Sequence, residues 1–131
     1  MDENLDLRMA IVFRSDLPEM TRAKSEIQAC HAAVQLTFDL TRSDPELMHA
    51  YLSLNQPKVN MEVASLDGLL AICEKARNRR IPFQLVQDAG RTCFSEPTYT
   101  CVLLGPMTKT SCNALTRNAT MRDRDRRIEP G

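Results

Sequence analysis

The stretch from Thr21 to about Thr41 constrains this chain most, because its polar and apolar residues repeat at helical spacing along its whole length. At 3.6 residues per turn Lys24, Gln28, His31 and Gln35 fall on one stripe. Ala23, Ile27, Cys30 and Val34 lie on one side of that stripe, and Ala29, Ala32, Ala33 and Leu36 lie on the other. A helix with apolar or small residues on both flanks is expected to be largely buried, with its polar stripe turned toward a cleft. The rest of the chain has to supply what buries it.

Ahead of the helix, Arg8 to Phe13 is a short apolar run suited to a central strand, closed by Arg14-Ser15-Asp16. Asp16 with Pro18 and Glu19 makes one plausible helix start, and Thr21 makes another. Arg42 to Glu46 breaks the helix, and Ser43 or Asp44 is placed to cap a second one over Pro45 to Leu54. Lys58 to Ala64 sets Val59, Met61 and Val63 against Lys58, Asn60 and Glu62, which is a strand with one wet face. Ser65 caps a helix from Leu66 to about Arg79. Strands follow over Phe83 to Val86 and over Thr98 to Leu104, the latter ended by Gly105-Pro106, and a weaker helix covers Thr108 to Asn118. This order predicts an α/β protein, a three-layer α/β/α sandwich with a mixed sheet of about four strands. With 131 residues the chain suits one domain, placed at residues 8–118 after an N-terminal extension at 1–7. The tail at 119–131 ends in a mixed Arg and Asp run with few apolar residues and is expected to be disordered.

The loop joining the last two long strands begins Gln87-Asp88-Ala89-Gly90-Arg91-Thr92. Gly90 permits backbone angles closed to other residues, so the chain can turn sharply and leave Asp88 and Thr92 facing one opening. The loop is longer than a tight hairpin needs, and loops held by a rigid strand are where binding and catalytic groups tend to sit. Two plainer readings compete: Asp88 and Thr92 satisfy backbone groups in a turn, or Asp88 pairs with Arg91 or Lys24 in a structural salt bridge.

Seventeen basic and seventeen acidic residues cancel, so the whole chain does not advertise a polyanionic partner, and any nucleic-acid contact must be local. Lys75, Arg77, Arg79 and Arg80 form one compact basic cluster, best read as a helix end or a solvated face. Five cysteines with no CxxC pair suggest neither a disulfide framework nor a zinc knuckle. No apolar run approaches the ~20 residues that cross a bilayer. The acidic N-terminus has neither the positive start nor the apolar centre of a signal peptide, which favours the cytoplasm.

Several separated segments resemble the archaeal and eukaryotic type of peptidyl-tRNA hydrolase, the second of two unrelated families with that activity. They are Arg14-x-Asp16-Leu17, Lys24-x-x-x-Gln28-Ala29-Cys30-His31-Ala32-Ala33, Gln56-Pro57-Lys58-Val59, Gln87-Asp88-Ala89-Gly90-x-Thr92, and Thr100 with Gly105-Pro106. Their order and spacing agree from about Arg8 to Arg117. The resemblance implies an α/β/α fold, frequently dimeric, that hydrolyses the ester joining a peptide to the 3′ end of tRNA without a metal or cofactor. It further implies a catalytic site at Lys24, Asp88 and Thr92 with Gln28 and His31 close by, and the expected substrate-binding residues are Arg22, Gln28, His31 and Arg91. In that scheme Asp88 orients or deprotonates the attacking water, Thr92 hydrogen-bonds the ester or the water, and Lys24 stabilises the oxyanion or a terminal phosphate. His31, bordered by alanines, is better read as a core or supporting residue than as the base.

One departure concentrates at the start of the long helix. Where the family usually carries a glycine- and lysine-rich turn, this chain reads Met20-Thr21-Arg22-Ala23-Lys24, with Glu26 one turn beyond Arg22. The alternative to an enzyme is therefore a hydrolase-like module that binds tRNA or a protein partner, in which the altered turn is misplaced or fills the pocket.

Overall fold

A computed structural model describes residues 6–90 and 96–122. Its elements are β1 (Leu7–Arg14), α1 (Arg22–Ser43), α2 (Pro45–Leu52), β2 (Lys58–Val63), α3 (Leu66–Asn78), β3 (Phe83–Asp88), β4 (Thr98–Thr108), α4 (Lys109–Leu115) and β5 (Thr120–Met121). The sheet is open and mixed, in the order β3-β4-β1-β2-β5. Strands β1 and β2 run parallel, and the remaining neighbours are antiparallel.

Central strand β1 organises two apolar clusters through the alternation of its side chains. Leu7, Met9, Ile11 and Phe13 pack with Ala32, Leu36 and Leu40 of α1 and with Met48 and Tyr51 of α2. Ala10 and Val12 pack with Leu69, Ile72, Cys73 and Ala76 of α3 and with Cys112 and Leu115 of α4. Being buried on both faces, β1 has no polar residue between Leu7 and Phe13 other than Arg8. Helix starts follow ordinary capping chemistry. The side chains of Thr21, Asp44, Ser65 and Thr108 each accept a backbone N–H from their own helix's first turn. Thr21, rather than Asp16, is thus the start of α1. The Tyr51 hydroxyl donates to the Pro57 carbonyl at 2.9 Å and ties the end of α2 to the entry of β2.

Three expectations are corrected. The sheet has five strands instead of about four: Met61 and Glu62 of β2 pair with Met121 and Thr120, so the fold continues past residue 118. Strand β4 does not stop at Gly105-Pro106 but runs on to Thr108. Gly105, at φ 109°, carries the chain through a register shift opposite Arg8 and Ala10, where a Cβ would lie 2.7 Å from the Arg8 carbonyl oxygen. The third correction concerns α1, which buries one flank only. Ser25, Gln28, Ala32, Leu36 and Leu40 face inward, whereas Ile27 is 52% exposed, Val34 72% and Phe38 56%. That second flank stays largely open, with the Arg42 guanidinium 5.5 Å over the Phe38 ring, and His31 is exposed with it instead of lying in the core. None of the described helices is long and apolar enough to cross a membrane.

Candidate functional site

The site forms where the first turn of α1 meets the C-terminal end of β3. Thr21 accepts the Lys24 backbone N–H at 3.1 Å, so the helix begins with Lys24 on its inward side. From there the Lys24 Nζ reaches Asp88 Oδ2 at 2.9 Å. Gln28, one turn further along α1, donates through Nε2 to the same oxygen at 3.1 Å. Gly90 donates its N–H to the other oxygen, Oδ1, at 2.8 Å. That bond depends on a turn only glycine makes easily: Gly90 has φ 80°, and a Cβ there would stand 2.7 Å from the Glu96 carbonyl carbon.

Burial separates this arrangement from a surface salt bridge. The Asp88 side chain is 6% exposed and that of Lys24 is 17%. Burial pushes the Asp88 carboxyl up, but the Gly90 N–H, the Lys24 ammonium and the Gln28 amide outweigh it and leave the group below its ordinary value. Asp88 is therefore held as a carboxylate with a cation fixed against it.

Gln28 is itself held from behind. Thr100, fully buried on β4, places its hydroxyl 3.4 Å from Gln28 Oε1 and 3.4 Å from the Val86 carbonyl. With the Gln28 amide oxygen turned to Thr100, its NH2 group points at Asp88. The loop from β1 into α1 is braced as well. Arg14 holds Asp16 through two contacts, at 2.8 and 3.0 Å, and donates to the Tyr99 carbonyl at 3.2 Å. The Arg14 hydrogen bond holds the Asp16 carboxyl below its ordinary value.

Among the residues singled out in the sequence, the structure joins Lys24, Gln28 and Asp88. His31 lies further along α1 on the wall of a groove of about 510 Å³, with Cys30, Val34 and Gln35 on the helix side and Gln84, Leu85, Val86 and Gln87 opposite. Arg22 points outward and pairs with Glu26 at 3.7 Å. Arg91 and Thr92, like Cys93, lie outside the described residues. In the basic cluster at the end of α3, Arg77 is engaged at its own surface, bonded to Glu74 and placed 5.4 Å over the Phe83 ring.

Two residues were given no role in the sequence. Thr100 stood out in the sequence only as part of the family resemblance, although a hydroxyl inside the apolar run of β4 is itself a signal. Arg122 gave no such signal, because its neighbours in sequence read as tail. Its guanidinium sits 4.2 Å over the Phe13 ring and donates to Ser25 Oγ at 3.2 Å, beside Lys24 in the first turn of α1.

Comparison with known proteins gives a consistent result. The sequence model of the family described as Peptidyl-tRNA hydrolase PTH2 matches residues 7–121. A peptidyl-tRNA hydrolase of Saccharolobus solfataricus is 33% identical over 114 residues, covering 84% of this chain and 94% of the relative. One from Sulfurisphaera tokodaii is 39% identical over 103 residues, covering 76% of this chain and 84% of the relative.

Proposed function

Because this chain belongs to the peptidyl-tRNA hydrolase PTH2 family, we propose that the Lys24, Gln28 and Asp88 cluster is the centre at which it hydrolyses peptidyl-tRNA. The reaction splits the ester between peptide and tRNA: water adds to the carbonyl carbon, the bond to the ribose oxygen breaks, and that oxygen takes a proton. The observation that carries the assignment is the buried contact of Lys24 Nζ with Asp88 Oδ2 at 2.9 Å.

A carboxylate with a lowered pKa is a weak general base, so the geometry favours Asp88 as the group that fixes Lys24 and orients water over one that removes the proton outright. Lys24 then lies next to the place where the carbonyl oxygen gains charge, and a preorganised cation lowers the barrier most in such a dry setting. Gln28 is 2% exposed, which suits positioning Asp88 better than touching the ester. In this reading Thr92 hydrogen-bonds the ester or the water, Arg22 and Arg91 bind the tRNA phosphates, and His31 lines the approach. The packing of α1 and α2 with one set of β1 side chains and of α3 and α4 with the other supports a three-layer sandwich, and in our reading the protein works in the cytoplasm as a homodimer. The retention of Lys24 in the site, delivered there by the Thr21 cap, supports turnover in spite of the missing glycines.

The test is release of peptide from an N-blocked aminoacyl-tRNA by the purified protein and by Asp88→Asn and Lys24→Ala. Each variant is expected to lose about a hundredfold in kcat/KM, the scale of a lost electrostatic or acid-base group. Full activity in Asp88→Asn would sink the assignment.

A further inference from the structure

We propose that the groove between α1 and the outer edge of β3 binds the peptide of the substrate as an added, extended strand. This rests on the hydrolase reading and extends it from the ester to the chain beyond. Strand β3 is at the sheet's edge, with β4 as its only partner strand among the described residues. Alternate residues of such a strand turn backbone N–H and C=O groups away from the sheet, where an extended peptide can pair with them. The edge leads straight into the site, since β3 ends on Asp88.

The opposite wall continues the stripe that begins at Lys24 and Gln28, through His31 to Gln35, with Cys30 and Val34 beside it. The lining residues include amides and apolar side chains and no Lys, Arg, Asp or Glu. That chemistry suits a neutral main chain with varied side chains and does not suit phosphates. Gln84 to Gln87 span about 13 Å at ~3.3 Å per residue, enough to pair with about four peptide residues. With the peptide's C-terminal carbonyl at Lys24 and its N-terminus toward Gln84, the added strand runs parallel to β3. Main-chain pairing of this kind binds without reading side chains, and Val34, 72% exposed without the peptide, gains an apolar neighbour.

The experiment compares kcat/KM on N-acetyl-aminoacyl-tRNA with that on tetrapeptidyl-tRNA ending in the same residue. The longer substrate is expected to be about tenfold better, as two or so net hydrogen bonds would give. N-methylation of alternate peptide nitrogens, Val34→Asp and Cys30→Trp should each bring the ratio toward one, while Phe38→Asp, on the same helix beyond the groove, should keep it. Because the ratio is taken within one preparation, partial unfolding of a variant does not move it. A wild-type ratio near one overturns the proposal. So does a ratio that survives in Val34→Asp, and if that variant also converts a dimer into a monomer by light scattering, the groove receives a second copy instead. A readout independent of turnover separates the two readings: free N-acetylated tetrapeptide should shift the amide resonances of Gln84 to Gln87. Shifts there from a protein without hydrolase activity uphold the groove and remove the enzyme reading. Activity without shifts or length dependence does the reverse.

Discussion

Lys24 Nζ and Asp88 Oδ2 lie 2.9 Å apart with both side chains mostly shielded from water, which joins the start of α1 to the end of β3 through one charged contact. Such a pair is costly to break from one side. Removing one member leaves the other charge buried without it, and single losses at buried pairs cost about 3–5 kcal/mol. Lys24 keeps some exposure, so the lower end of that range applies. Lys24→Met is expected to lower unfolding free energy by about 3 kcal/mol, and Lys24→Met with Asp88→Asn should recover part of that loss. Urea unfolding of the wild type, both single variants and the double variant checks it. Strict additivity would mean that the two groups do not couple.

The direction of the Asp88 shift sets how stability changes in acid. Its folded pKa is lower than the unfolded carboxylate value of about 3.9, so its contribution is fully present above that value. It is lost as pH falls through the lowered folded value, when the carboxylate facing Lys24, Gln28 and Gly90 takes a proton. Asp16, lowered by Arg14, behaves in the same sense. Unfolding free energy measured from pH 7 down to about pH 2 should therefore drop more steeply in the wild type than in Asp88→Asn below about pH 4. Parallel curves would show that Asp88 is not held in the charged form.

Much of this arrangement could be read in the sequence, and the parts that could not share a cause. The order of elements, the Ser65 cap and the Gly90 turn follow from local periodicity or from residues with one strong conformational role. The meeting of Lys24, Gln28 and Asp88 was legible only through the family resemblance, since periodicity turns the Lys24 stripe toward a cleft without saying which loop closes it. The exposed flank of α1 did not, because periodicity marks Ile27, Val34 and Phe38 as apolar without saying whether anything is present to cover them. Strand β5 was missed for the same reason in reverse. Thr120 and Met121 form too short a strand to show any alternation of their own, and they are placed by pairing with β2. Arg122, which anchors that strand, looks in sequence like the first charge of a solvated run.

The Gln28 amide makes a prediction about positioning. It donates to Asp88 only while its oxygen is turned to the Thr100 hydroxyl, 3.4 Å away. Gln28→Leu removes a donor from a buried carboxylate, so the Asp88 pKa should rise toward the ordinary value in an NMR titration, and kcat should fall about tenfold with little change in KM. Thr100→Val keeps the shape and removes the hydroxyl, which frees the amide to flip. Its effect should have the same sign and be smaller. A change in KM alone would place Gln28 on the substrate instead of behind Asp88.

Arg122 acts through two contacts that a lysine cannot reproduce together. The planar guanidinium stacks 4.2 Å over Phe13 and at the same time donates to Ser25 Oγ at 3.2 Å, so one side chain links the end of β5 to β1 and to the first turn of α1. Stacking of this kind contributes about 1–2 kcal/mol where water is partly excluded, and it depends on the flat head group as well as the charge. Arg122→Lys should therefore destabilise almost as much as Arg122→Ala, by about 1–2 kcal/mol, with faster amide exchange at Thr120 and Met121 in both. If lysine restores full protection, the charge alone is what holds β5 in place. If neither variant alters exchange, the pairing of Met61 and Glu62 with β5 stands without Arg122.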